Sequence, residues 1–295
     1  KFIKSVKNVG SYNELDLNVL IIEHRSQNDA RVGLSKELFS ILKKYSMNNA
    51  IIATYNTTNT WRYSLLTTNF KIADDGKVLK EFSSPKRYSY LLGPAAKTVT
   101  PHKFLQAKGK IKDFDDLRKR FSVEVVNGEF YKEIAKLYDE LAGTNKITAS
   151  LKHPGHGEIR DQFAVRLIGR IIFCWFLREK RSDKGTPLIP HDILSRTASK
   201  ADNYYHSVLA PLFFEVLNKQ GTSREEAFKS GLYGSIPYLN GGLFSPDNDD
   251  HYKFDKSLQL SVSGPVTVPD QWLRKFFDLL ELYHFTVDEN TSYDI

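Results

Sequence analysis

"LNVLIIEHRSQNDARVGLSKELFSILKKY", residues 17–45, decides how the fold is read. With the two residues before it, the segment 15–23 is nearly continuously apolar and rich in β-branched side chains, the pattern of a strand buried on both faces. From Val32 the period changes. Leu34, Leu38, Ile41 and Leu42 fall on one helical stripe, with charged residues elsewhere. "AIIATY", residues 50–55, is a second buried strand. A strand, a covering helix and another buried strand in so short a span predict a right-handed parallel crossover, and hence a mixed sheet.

Working outward, "WRYSLLT" (61–67) and "RYSYLLG" (87–93) read as further strands. Between them, Asp75-Gly76 separates two alternating segments, a hairpin signal because both central residues of a type I′ turn take positive φ. From residue 113 the character is helical. "DFDDLRKRF" has acids in its first turn and bases in its last, complementing the helix dipole. The segment 128–143 repeats Phe130, Ile134, Leu137 and Leu141 and stops at Gly143. Residues 144–160 read as a linker, 161–180 as the apolar central helix of a bundle, and 269–285 as an amphipathic helix. The expectation is an α/β domain over residues 1–110 and an all-α domain over 111–295.

Composition narrows the function classes. The single cysteine, Cys174, excludes a disulfide framework and multi-cysteine zinc sites and fits a reducing, cytoplasmic compartment. The most apolar run, 171–177, falls far short of the roughly 18 residues that span a bilayer. The formal charge of +7 favours polyanions, and the charge is concentrated. Between Lys97 and Arg120 stand eight bases against three acids. Lys103, Lys108, Lys110, Lys112, Arg118 and Arg120 are the candidate contacts to nucleic-acid phosphate, set against a solvated loop and helix face. No phosphate-binding glycine loop is present. The histidines of "HPGHG" (153–157) lack a third ligand for zinc, and a thiol in an apolar helix is a poor nucleophile. "YLNGGLF" (238–244) is either a tight loop or one that approaches a ligand.

The polar end of the first strand, Glu23-His24-Arg25, has the form of a metal-dependent nuclease centre of the PD-(D/E)xK type. There, carboxylates from two strands hold Mg²⁺ and a lysine two residues on polarises water or phosphate. Arg25 would stand in the lysine position, able to clamp phosphate but not to shuttle a proton. Asp16 lies seven residues from Glu23, about 23 Å along an extended strand, too far to share an ion. The plainer reading is a polar strand end, with Asp29 and Arg31 around the helix start.

Several phrases occur together in order: "EHRSQNDARVGLSKELFSILKKY", "WRYSLLT", "SPKRYSYLLGP", "AVRLIGRIIFCWFLREK", "IPYLNGGLF" and "LLELYHFTVDEN". In these the chain resembles the N-terminal region of type IIG or type IIS restriction–modification enzymes, in which an endonuclease is fused to an adenine methyltransferase. The resemblance implies a restriction-nuclease-like domain, a helical connector, and then S-adenosylmethionine-dependent methyltransferase and target-recognition domains acting on double-stranded DNA. By this resemblance Glu23 is a metal ligand for Mg²⁺, with Arg25 as the degenerate lysine. The methyltransferase motifs are absent, and the chain holds no Pro-Pro, so it reads as an N-terminal part of a larger polypeptide. A non-catalytic scaffold or subunit-docking module of a methylase-based phage-defence system is the alternative.

Overall fold

The computed structural model describes the chain except residues 1, 27–30, 69, 73–77, 81–85, 95, 97, 181–185, 240, 256, 258–259, 262–264 and 284–295. The expected turn at Asp75-Gly76, the cap at Asp29, Lys97 and the phrase end 284–290 lie outside the described residues.

The chain divides into two compact units within one helix, at Glu129 and Phe130. The first unit is built on a five-stranded sheet of β1 (Ile3–Tyr12), β2 (Leu17–His24), β3 (Asn49–Tyr55), β4 (Trp61–Thr67) and β7 (Lys86–Leu92), in that spatial order. The β2 and β3 strands are parallel, joined through α1 (Arg31–Lys44), and every other pairing is antiparallel, so the sheet is mixed as expected. A small hairpin, β5 (Phe70–Ile72) with β6 (Val78–Lys80), stands apart from the sheet.

Alternation sorts the side chains onto two faces. On one, α1 buries Leu34, Leu38, Phe39 and Leu42 against Leu20, Ile22, Ala50, Ile52 and Leu66. On the other, Leu17, Ile51, Leu65, Tyr63, Tyr88 and Tyr90 pack against Leu117 and Phe121 of α2 (Phe114–Phe121) and against Leu105 and Ile111 of the segment before it. The N-cap of α2 is Asp113, whose carboxylate accepts from the Asp116 amide at 2.7 Å and meets one of the donors left over at a helix start.

The α3 helix (Val123–Ala142) carries the division between the units and ends at Gly143, with φ +84. A Cβ there would lie 2.8 Å from the Ala149 amide nitrogen, so only glycine fits. The second unit is mainly helical, around α4 (Glu158–Glu179) and α5 (Asp270–Glu281), with Trp175, Phe213, Phe214, Trp272 and Phe277 in its core. It is not purely helical: β8 (Phe254–Asp255) pairs with β9 (Leu260–Ser261), and Lys152 bridges to Thr267.

The segment 144–160 is not a linker. The Ser150 and Leu151 amides donate to the carbonyls of Glu140 and Leu141, and Lys152 and Thr267 exchange backbone bonds. His153 takes the Gly155 amide on Nδ1 at 3.0 Å and gives Nε2–H to the Asp249 carbonyl at 2.7 Å. Its ring is thus spent on architecture. The loop of "YLNGGLF" is held likewise: buried Arg170 donates to the Leu243 carbonyl at 2.7 Å and makes a bidentate pair with buried Asp250 at 2.7 and 2.9 Å. Burial pushes the Cys174 thiol well up, which leaves it inert at neutral pH.

Candidate nucleic-acid interface

The face of the sheet that carries α2 also carries both sets of residues singled out from sequence, the strand end and the basic cluster. Glu23 lies on it, in the row Ser5, Glu23, Tyr55, Trp61 and Leu92 that crosses the five strands in register. Its carboxylate is engaged. The register of β1 slips between Ile3 and Ser5, and Lys4 in that bulge places Nζ 2.6 Å from Glu23 Oε1. Ser5 Oγ stands 3.5 Å from the other carboxylate oxygen. Arg25 follows with an exposed side chain, its backbone amide donating to the Phe2 carbonyl.

A hard cation such as Mg²⁺ needs several oxygen ligands, usually more than one carboxylate among them. Asp16, on a left-handed residue at the other end of β2, accepts from Asn48 Nδ2 at 2.9 Å and has no part in the Glu23 site. Among the described residues no three of His, Cys, Asp and Glu come together to hold a metal. The cation at Glu23 is an ammonium from β1. The described residues around Glu23 therefore do not make up a Mg²⁺ site.

The basic cluster is built with more structure than its composition suggests. Arg120 is 3% exposed, so its guanidinium does not reach the surface where a phosphate would bind. Its guanidinium donates to the Gly109 carbonyl at 2.7 Å, to the Lys110 carbonyl at 3.0 Å and to Asp116 Oδ2 at 2.7 Å. The same Asp116 oxygen accepts from the Lys112 amide at 3.1 Å. That corrects the expectation for Arg120: it is a clamp on the backbone of the loop 109–112. The hydrogen bond from Arg120, joined by that from Lys112, holds the Asp116 carboxyl down at about 2.

The clamp leaves the side chains of Lys108, Lys110 and Lys112 exposed. Lys103 and Lys108 flank the ring of buried Phe104 at 5.8 and 5.0 Å, and Lys103 also pairs with Glu129 at 2.9 Å. Arg118 is exposed and pairs with Asp115 at 3.1 Å. All of these cations belong to the first unit. Two residues went unnoticed in the sequence: Lys4, whose role depends on strand register, and Tyr55, whose ring stacks on Trp61 at 4.6 Å. Neither is preceded by a local signal.

Among the described residues no helix is long and apolar enough to cross a membrane. No protein-family profile and no solved structure matches the chain. A protein of Methanocaldococcus jannaschii, provisionally named a type II restriction enzyme and methyltransferase, is 31% identical over 191 residues, covering 56% of this chain. The match spans 15% of that protein's length, so the chain corresponds to a small part of it. The similarity relates this chain to a restriction–modification enzyme.

Proposed function

We propose that the chain is the DNA-contacting N-terminal part of a restriction–modification protein, resembling the type IIG and IIS enzymes. Its first unit is a restriction-nuclease-like core whose Glu23–Arg25 strand end is degenerate, and its helical unit connects to a methyltransferase domain. S-adenosylmethionine would belong to that further domain and Mg²⁺ to an intact nuclease centre.

The observation that carries the DNA reading is the Arg120 clamp. A buried guanidinium is spent on two backbone carbonyls and one carboxylate, and the result is a fixed loop bearing Lys108, Lys110 and Lys112. A backbone already held in place presents these lysines to phosphates without a further cost of ordering the loop. With Lys103 and Arg118 they would neutralise phosphates of double-stranded DNA without regard to sequence.

A second reading, a non-catalytic scaffold of a phage-defence system, is favoured by the Glu23–Lys4 pair, which occupies the carboxylate a metal would need. In that reading the chain only docks other domains or subunits, and duplex binding by the clamped loop separates the two.

Equilibrium binding to duplex DNA over a range of salt concentrations tests the proposal. Five engaged cations predict a slope of log K against log salt of about −4 to −5. Absence of binding at low salt, or binding indifferent to salt, would overturn it.

A further inference from the structure

The open end of the same sheet face carries an aromatic pair that the fold holds in place. Tyr55 and Trp61 face each other across β3 and β4, with ring centroids 4.6 Å apart and planes 22° apart. Both are half-buried, and among the described residues no third ring caps the stack. Their connecting turn is fixed from beneath by Asn56, 6% exposed. Its Oδ1 accepts from the amides of Thr58 and Thr60 and from the Thr58 hydroxyl, and its Nδ2 donates to the Ser26 carbonyl. Asn59 takes φ +57 and accepts the Trp61 indole N–H at 2.9 Å. Gly93, at φ +132, backs against this turn, where a Cβ would come within 2.8 Å of the Asn59 carbonyl oxygen.

Among the described residues, two exposed cations stand on or just beyond the neighbouring strands. Lys7 shares its face by register with Ile21, Arg25 is exposed two residues beyond Glu23, and Glu23 is already neutralised by Lys4. A held π-stack with cations on the strands beside it matches an unpaired base with its phosphates, because every base has a π-face and stacking is tolerant of sequence. Duplex DNA cannot use such a platform, since its bases are already stacked on one another.

We propose that Tyr55 and Trp61 form a stacking platform for an unpaired nucleobase, with Lys7 and Arg25 taking the flanking phosphates. The inference rests on the DNA-contacting reading and names a second substrate form, single-stranded DNA, for the same face.

Of the three tryptophans, Trp175 and Trp272 are buried at 0% and 1% exposure, so Trp61 is the one open to a ligand. The test titrates the chain with oligothymidylate of about 12 nucleotides and with a duplex of equal length. Tryptophan emission should be quenched saturably by the single strand. By polarisation of labelled DNA, Trp61→Leu and Tyr55→Leu should each weaken single-strand binding by about tenfold. Trp61→Phe should retain most of it, and duplex affinity should stay put. Urea denaturation of each variant checks the fold, since a merely structural role would lower stability and both affinities together.

Single-strand affinity indifferent to Trp61→Leu, with duplex binding intact, overturns this inference alone. Failure of both DNA forms to bind overturns the DNA reading with it.

Discussion

Arg120 donates to the Gly109 carbonyl at 2.7 Å from a helix whose exposed side is charged, and so turns inward the one base of its cluster that is buried. The arrangement reaches across α2 to fix a loop that has no secondary structure of its own to fix it. Replacing Arg120 by alanine should cost about 2–3 kcal/mol in chemical denaturation, because two carbonyls and a carboxylate lose a charged donor. Lysine should not rescue it, lacking the planar fork. Trypsin should cut after Lys108, Lys110 and Lys112 faster in the alanine variant, and an unchanged cleavage rate would show that the loop holds itself.

Acid should undo the same clamp through Asp116. Its folded pKa, about 2, lies below the ordinary 3.8, so its ionised form is favoured by folding. That contribution is complete above about pH 4 and is lost as pH falls through about 2. Asp116→Asn should therefore be less stable than the parent at neutral pH and converge with it towards pH 2. A stability difference that stays constant over this range would contradict the assignment.

Glu23→Ala should change neither Mg²⁺ uptake, measured by calorimetry, nor cleavage of duplex DNA by a protein carrying this chain. The reason is the Lys4 ammonium 2.6 Å from Glu23 Oε1. Cleavage lost in the variant, with fold and methylation retained, would make Glu23 a metal ligand and the strand end an active site.

In the second unit, Arg170 and Asp250 form a bidentate pair at 3% and 0% side-chain exposure. Removing one partner leaves the other charge buried and unpaired, so Arg170→Ala or Asp250→Ala should cost about 3–5 kcal/mol. Denaturation followed by tryptophan emission checks this through Trp175 and Trp272, both in the core of this unit.

The elements with strong periodicity were legible in the sequence: the β2, α1 and β3 crossover, β4, β7, and the cores of α3, α4 and α5. The β1 strand was not, because "IKSVKNVGSY" is an exposed edge whose only instruction is its pairing with β2. Residues 144–160 have the composition of a linker, yet their partners, Thr267 and Asp249, lie far along the chain. The basic cluster was visible as charge, but charge does not say which arginine is buried. Arg118 and Arg120 look alike until the path of the loop 109–112 is known. The Glu23–Lys4 pair depends on a bulge, and bulges leave little trace in composition.

The most direct test of the account is the salt dependence of duplex binding by Lys108→Ala/Lys110→Ala/Lys112→Ala beside the parent chain. If the clamped loop grips the backbone, the slope of log K against log salt should shrink by about three, with circular dichroism unchanged. An unaltered slope would mean that DNA, if bound, is held elsewhere and that the loop 109–112 does not grip it.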